Sequence, residues 1–112
     1  MPEFTFKGKR YNNPVELSLD IIGGKWKMPI IWRLKEDTLR YGEVRKSLPK
    51  ITHKMLTQQL RELESDEIIV RKVYPEVPPK VEYSLTLLGK SVIPVIDLLR
   101  EWGEEYRGVF VK

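Results

Sequence analysis

The 112-residue chain contains no cysteine and only one histidine. The lack of cysteine excludes disulfides and thiol chemistry, and a lone histidine leaves no cluster of the kind that holds zinc. No stretch approaches the roughly 18 apolar residues that a membrane helix needs. The N-terminus, MPEFTFKGKRYNN, is polar and lacks the apolar core of a signal peptide. These absences predict a cytoplasmic protein without a membrane segment, metal or cofactor.

Motifs for catalysis are missing as well. The Gly-Gly-Lys at residues 23–25 lacks the spacing and the Ser/Thr of a phosphate-binding loop. The sequence suggests no Ser-His-acid grouping that could activate a nucleophile. We therefore do not expect an enzyme.

What the chain does have is a typical globular composition, with 41% hydrophobic and 32% charged residues. Its length predicts one domain over residues 1–112. The net charge is +4, but six basic residues and one acid fall between Arg40 and Arg61, whereas residues 81–112 carry four basic and five acidic ones. A basic middle indicates that one face meets an anionic partner such as nucleic acid.

The two ends of the chain frame this basic middle. Residues 1–13 show no periodicity and are predicted to form an arm or a loose first strand. Residues 14–23 are predicted to form a helix, opened by a proline and ended by the glycine pair. A second helix is expected over residues 25–37, with Pro29 delaying its start or kinking it. A long helix over 87–107, kinked at its proline, completes the chain.

The central pattern is that of a winged helix-turn-helix. After a short extended piece at 38–41, residues 41–65 form two helices around the three-residue turn PKI. The first has Tyr41, Val44 and Leu48 at i, i+3, i+7; the second has Thr52 as N-cap and a narrow stripe of leucines. Residues 68–86 alternate at period two around the proline-rich tip PEVPPK, which predicts a hairpin, the wing. The predicted fold class is α+β.

The outer side of the second helix carries the side chains that suit base recognition. Arg and Lys fit guanine, Gln fits adenine, and Thr fits either base or the thymine methyl. The predicted DNA-reading residues are Thr52, His53, Lys54, Thr57, Gln58 and Arg61. An ordinary solvated helix face is the alternative, which the turn before the helix and the hairpin after it make less favourable. Met55 lies outside both arcs; we favour packing under the wing over contact with a thymine methyl.

Four further basic residues are predicted to contact the DNA backbone without reading sequence. Arg45 and Lys46 lie on the preceding helix, and Lys72 and Lys80 flank the wing tip. Each could instead be a solubilising charge, and the tip prolines could simply end two strands and protect a sheet edge.

The terminal helices carry more apolar surface than one small core can cover, which predicts a homodimer. The residues assigned to its interface are Val15, Leu19, Ile22, Val92, Val95, Ile96, Leu99 and Trp102. The three tryptophans are assigned to the core or the interface, with an aromatic effector pocket as the alternative.

Three segments resemble a known family: PVELSLDIIGGKWKMPIIWRL, LRYGEVRKSLPKITHKMLTQQLRELESDEII and VYPEVPPKVEYSLTLLGKSVIPVIDLL. They are similar to the HxlR-type winged-helix transcriptional regulators, within the MarR-like superfamily. The resemblance implies a homodimer built on the N- and C-terminal helices, with paired recognition helices and wings on a palindromic operator. It implies that Lys54, Thr57, Gln58 and Arg61 belong to the DNA-reading helix, and residues 75–80 to the wing.

One departure from that family concerns sensing. Several members respond to oxidants or electrophiles through a cysteine near the position of Asn13, and this chain has none. Any signal would then be non-thiol: a small molecule at the dimer interface, a partner protein, or the abundance of the regulator itself.

These patterns predict a sequence-specific regulator that binds double-stranded DNA as a homodimer and represses by covering a promoter. The alternatives are a winged-helix module that binds protein, and an architectural DNA-binding protein of weak specificity. The operator, the target genes, the effector and the sign of regulation do not follow from these residues.

Overall fold

The computed structural model describes residues 2–111, so residue 1 of the expected arm and the last residue of the chain, 112, lie outside it. The described chain forms helices and two small antiparallel sheets, which confirms the predicted α+β winged-helix class. In chain order the elements are β1 (Phe4–Phe6), β2 (Lys9–Tyr11), α1 (Pro14–Ile22), α2 (Lys27–Arg33), β3 (Leu39–Arg40), α3 (Tyr41–Ser47), α4 (His53–Ser65), β4 (Ile69–Tyr74), β5 (Lys80–Leu85), α5 (Leu87–Lys90) and α6 (Ile93–Phe110).

The expectation of an arm or loose strand at the N-terminus is corrected from Phe4 onward. β1 and β2 form a hairpin whose turn, Lys7 and Gly8, has positive φ at both residues (50° and 78°). Tyr11 is only 4% exposed, and its hydroxyl donates to Asp20 of α1 at 2.8 Å. Strands of three residues are too short for a period-two pattern, so the hairpin is invisible to periodicity.

Helix α1 is capped by the Asn13 side chain, which accepts from the Glu16 backbone N–H at 3.1 Å. Helix α2 begins at Lys27 and ends at Arg33, shorter than the expected 25–37. Because α2 starts late, Pro29 lies in its first turn, where the missing backbone N–H has no intrahelical partner to lose. A late start, rather than a kink, therefore accommodates this proline.

The wing sheet has the strand order β3-β5-β4. Arg71 pairs with Tyr83 and Lys72 pairs with Glu82 across the hairpin. Because side chains alternate along a strand, Arg71 and Tyr83 share the inner face, toward the core, while Lys72 lies on the outer face. This register decides which basic wing residues can approach the helices.

The single kinked helix expected over 87–107 is wrong. α5 ends at Lys90, a break follows, and α6 runs from Ile93 to Phe110. Pro94 lies in the first turn of α6. Pro94 has no N–H to donate to the carbonyl four residues earlier, at Lys90, so the hydrogen-bond pattern of α5 does not continue into α6, although Ser91 and Val92 keep right-handed helical angles.

The core lies between α2, α3, α4 and the inner face of the wing. Its fully buried side chains include Ile30, Ile31, Val44, Leu56, Leu63 and Ile69. This packing fixes the orientation of α4 relative to the wing. Within residues 2–111, no helix combines the length and apolar character required to cross a bilayer.

Candidate nucleic-acid interface

Helix α4 is fixed along one side and free along the other. The Thr52 hydroxyl accepts from the Met55 N–H at 3.1 Å, which caps the first turn. Leu56, Leu60 and Leu63 are at most 2% exposed and attach the helix to the core. The remaining faces of α4 are therefore presented outward in a fixed orientation.

The predicted reading residues come together on that outward side. His53, Lys54, Gln58 and Arg61 are exposed and Thr57 is half-buried. These five side chains and Glu62 line one shallow surface. Thr52 is exposed at the start of the same helix. The surface is a polar, mostly cationic face on a rigid helix, the arrangement that suits insertion into a major groove.

Tyr41, at the start of α3, organises this face and was missed as a site residue. Its hydroxyl donates to the His53 carbonyl at 3.1 Å and lies 3.1 Å from His53 Nδ1 and 3.2 Å from the Thr57 hydroxyl. The Tyr41 and His53 rings are parallel within 1° with centroids 5.8 Å apart. The i, i+3, i+7 pattern predicted that the ring of Tyr41 packs against apolar neighbours, but it could not predict that the hydroxyl would bond to residues of α4.

A second basic surface lies between α3 and the start of α4. Arg45 and Lys46 line a depression there together with Tyr41, Pro49 and His53. Lys46 is exposed and Arg45 is half-buried. The two residues predicted to hold phosphates thus border the predicted reading face at His53, where a backbone flanking the groove would pass.

The two predicted wing lysines lie away from α4. The Nζ atoms of Lys72 and Lys80 lie 4.9 and 4.7 Å from the Tyr74 ring centroid, on the outer face of the hairpin. Lys80 Nζ is also 3.7 Å from a Glu82 carboxylate oxygen. A hydrogen bond from Tyr74, together with the charges of Lys80 and Arg40, holds the pKa of Glu82 below its usual value.

The wing residue that faces the recognition helix is instead Arg71. Its Nε lies 3.7 Å from an oxygen of Glu64 on α4. Arg71 pairs across the hairpin with Tyr83, which is 8% exposed. Both residues were missed as site residues; the period-two pattern placed Arg71 on a strand face, but only the hairpin register shows which face.

Two lysines tie α4 to the rest of the protomer. Lys7 in the N-terminal hairpin lies 2.8 Å from Asp66 Oδ1 and donates to the Ser65 carbonyl at 3.2 Å, at the end of α4. Lys27, 8% exposed, lies 3.8 Å from Glu62. The cationic Lys7 at the C-terminal end of a helix is also favoured by the helix dipole.

The predicted interface residues divide into two groups. Ile22 and Val92 are 9% and 8% exposed, so the protomer's own core already covers them and they have little surface left for a partner. Ile96 is half-buried. The exposed apolar side chains on these helices are Val15 and Leu19 on α1, Leu87 and Leu88 on α5, and Val95, Leu98, Leu99, Trp102, Tyr106, Val109 and Phe110 on α6. Val109 and Phe110 were missed because the helix was expected to end at 107, whereas Leu98 and Tyr106 lie within the expected helix and were missed as well.

The other aromatic and sulfur side chains are placed as follows. Trp26 is 9% exposed and belongs to the core, whereas Trp102 is 63% exposed. Trp32 is half-buried, with Lys35 Nζ 3.8 Å from its ring centroid. Met55 is 37% exposed and lies outside the core cluster, and its packing under the wing stays a prediction.

The fold and the helix face can be compared with known proteins. The HxlR-like helix-turn-helix family matches residues 21–109 of the chain. The chain belongs to the HxlR-like family. It is 56% identical over 92 residues to an uncharacterized HTH-type transcriptional regulator of Methanothermobacter thermautotrophicus, covering 82% of this chain and 70% of the relative. It is also 56% identical over 94 residues to the HTH-type regulator YdeP of Bacillus subtilis, covering 84% and 73%.

A solved structure shows the same architecture. The redox regulator HypR in its reduced form has 50% sequence identity and a TM-score of 0.82, over 87% of this chain and 96% of that one. Together these relatives show that this HxlR-like protein is a transcriptional regulator with a helix-turn-helix DNA-binding domain.

Proposed function

We propose that this HxlR-like protein is a sequence-specific repressor that binds a palindromic operator as a homodimer. The observation that carries the proposal is the single cationic face of α4, bordered by Arg45 and Lys46 on one side and the wing on the other. In such a dimer two copies of α4 about 34–36 Å apart would read half-sites one helical turn apart. Repression would follow from covering a promoter, and the site of action would be the cytoplasm.

Support for the dimer comes from α6. This helix has 18 residues, none of them fully buried within the protomer, and at about 1.5 Å per residue it is roughly 27 Å long. Val15 and Leu19 of α1 are likewise apolar and exposed. A helix of this composition is stabilised by burying that surface against a second copy.

Leu99→Asp tests the dimer, because a carboxylate placed at a half-exposed apolar position would be desolvated in the interface. We expect the parent protein to sediment as a dimer at micromolar concentration and the variant to shift toward monomer. Val77→Asp, at a wing-tip residue that is 99% exposed, is the matched control and should leave the mass unchanged. A parent protein that sediments as a monomer would refute the dimer.

DNA reading is tested by selecting genomic fragments with the purified protein and sequencing them. We expect a palindromic motif, and an affinity that falls about 10³–10⁵-fold between 50 and 200 mM salt if 6–10 phosphates are contacted. Fragments without a shared motif would indicate an architectural protein, and no DNA binding with capture of a protein partner would indicate an interaction module.

The roles within the site are separated by two substitutions. Gln58→Ala should relax the preference at particular base pairs, with a loss of about 1–3 kcal/mol on the selected operator. Lys46→Ala should weaken all sequences alike and lower the salt slope by about one. If both variants lost affinity uniformly, the assignment of Gln58 to base reading would be wrong.

We also propose that any signal acts without a thiol. HypR is named a redox regulator, whereas these 112 residues contain no cysteine to oxidise. Treatment with a disulfide-forming oxidant such as diamide should therefore leave the operator affinity unchanged. A reversible loss of affinity on oxidation would contradict this part of the proposal.

A further inference from the structure

A cleft separates the recognition helix α4 from the inner face of the wing. Its volume of about 350 Å³ exceeds several-fold the roughly 30 Å³ that one water takes in the liquid. One leucine and six polar side chains line it: Tyr41, Thr57, Leu60, Arg61, Glu64, Arg71 and Tyr83. We refer to it as the wing cleft.

The wing cleft has a surplus of positive charge. Arg61 enters it from α4 and Arg71 from β4, against one carboxylate, that of Glu64. Glu64 lies 3.7 Å from Arg71 Nε, which is beyond the roughly 3.2 Å limit of a good hydrogen bond. The planar donor fork of Arg71 is therefore not taken up by Glu64, and such forks match the geometry of phosphate and carboxylate.

Tyr83 supplies a further polar group to the wing cleft. The residue is 8% exposed and lines the wing cleft opposite Arg71, its cross-strand partner. Burial is the main cause that raises the pKa of its phenol. The phenol borders the wing cleft, and its hydroxyl can donate a hydrogen bond to an anion that binds there.

We propose that the wing cleft is an oxyanion site, in which Arg61, Arg71 and the Tyr83 hydroxyl bind one compact phosphate- or carboxylate-type group. The same chemistry has two sources: a phosphate of the DNA backbone, held as the wing closes on the duplex, or a free small anion. The first source rests on the proposed DNA-binding function; the second does not. Arg61 lines both the wing cleft and the proposed reading surface of α4. An anion bound in the cleft would therefore contact a side chain of the recognition helix.

The test has two arms that share their variants. In the first, inorganic phosphate is titrated into the DNA-free protein at constant ionic strength, with chloride as the balancing anion, and NMR follows the Arg71 side chain and the β4–β5 amides. In the second, the affinity for the selected operator is measured against salt concentration. The variants are Arg71→Gln and Tyr83→Phe, with Lys90→Gln as the control for charge and Tyr11→Phe as the control for a phenol hydroxyl outside the cleft. Arg71→Lys retains the charge without the fork.

In the phosphate arm, we expect NMR chemical shifts that change saturably with phosphate, only at the wing cleft, and that do not change in Arg71→Gln. In the DNA arm, we expect a five- to tenfold loss of operator affinity in Arg71→Gln and Tyr83→Phe, with a salt slope about 0.9 lower for Arg71→Gln. Either result supports the site. Loss in the DNA arm alone assigns the site to a backbone phosphate, and loss in the phosphate arm alone to a free anion. Variants that match the parent protein in both arms, while melting at the same temperature, would overturn the proposal. If no operator were found, the phosphate arm would still show whether the wing cleft binds an anion. Failure of the oxyanion site can therefore be distinguished from failure of the proposed DNA-binding function.

Discussion

The hydroxyl of Tyr41 provides a sharp test of how the reading face is organised. In Tyr41→Phe the ring that is parallel to His53 is kept, and the three contacts at 3.1, 3.1 and 3.2 Å are lost. A phenol has one proton, so all three bonds form together only when Tyr41 donates to the His53 carbonyl and accepts from His53 Nδ1–H and the Thr57 hydroxyl. The substitution therefore frees two side chains that are predicted to contact DNA.

The magnitude follows from this geometry. Each neutral hydrogen bond contributes about 0.5–1.5 kcal/mol net, and water can replace part of it at this half-exposed site, so the fold should lose about 1 kcal/mol. Re-immobilising His53 and Thr57 on DNA should cost about 0.5–1.5 kcal/mol for each side chain. With the ring contact retained, we expect a total near 1–2 kcal/mol, which is a roughly five- to thirtyfold weaker operator affinity.

The assay is fluorescence anisotropy on the selected operator and on a scrambled duplex of the same length. Tyr11→Phe is the matched control, because it also removes a phenol hydrogen bond, that to Asp20 at 2.8 Å, outside the reading face. Tyr41→Phe should lose more affinity for the operator than for the scrambled duplex, whereas Tyr11→Phe should bind both duplexes as the parent protein does. Equal operator affinities for the parent protein and Tyr41→Phe would refute the positioning role of this hydroxyl.

Two further predictions concern stability. Thr52→Ala removes the N-cap of α4 and should lower the free energy of unfolding by about 1 kcal/mol. For a domain of this size, that loss lowers the melting temperature by about 4 °C. An unchanged melting temperature would contradict the cap seen at 3.1 Å. Hydrogen bonds from Lys9 and then Tyr11 hold the pKa of Asp20 below its ordinary value of 3.8, so its stabilising contribution is fully present above that value and is lost as pH falls through the lower folded pKa. Asp20→Asn should therefore flatten acid denaturation monitored between about pH 4 and 1, and a variant with the same acid limb as the parent protein would show that this carboxylate is not the group that titrates.

The candidate site shows where sequence reasoning reached its limit. His53, Lys54, Thr57 and Gln58 are separated from the leucines by the helical period alone, so their shared surface follows from α4 being a helix with one buried stripe. Arg71 and Tyr83 lie twelve positions apart and meet only because the hairpin register pairs them. Shifting that register by one residue would turn Arg71 to the outer face.

The long C-terminal segment shows a second limit. Its apolar residues repeat at helical spacing, which is why a single helix was expected, but the same spacing does not show whether a side chain is covered by its own protomer or left exposed. Val92 packs inside, while Leu99 remains half-exposed on α6. A wheel drawn through residues 87–107 also assumes one continuous helix, whereas α5 ends at Lys90 and α6 begins at Ile93.

The sequence by itself therefore determined the winged-helix order, the buried stripe of α4 and the family, because these depend on local periodicity, capping and motif spacing. The tertiary structure alone decided that the N-terminal residues fold back as a hairpin, that Tyr41 holds His53 and Thr57, and that Arg71 rather than the two wing lysines faces the recognition helix. Each of these depends on side chains distant in sequence meeting through packing and strand register, which a one-dimensional pattern does not encode.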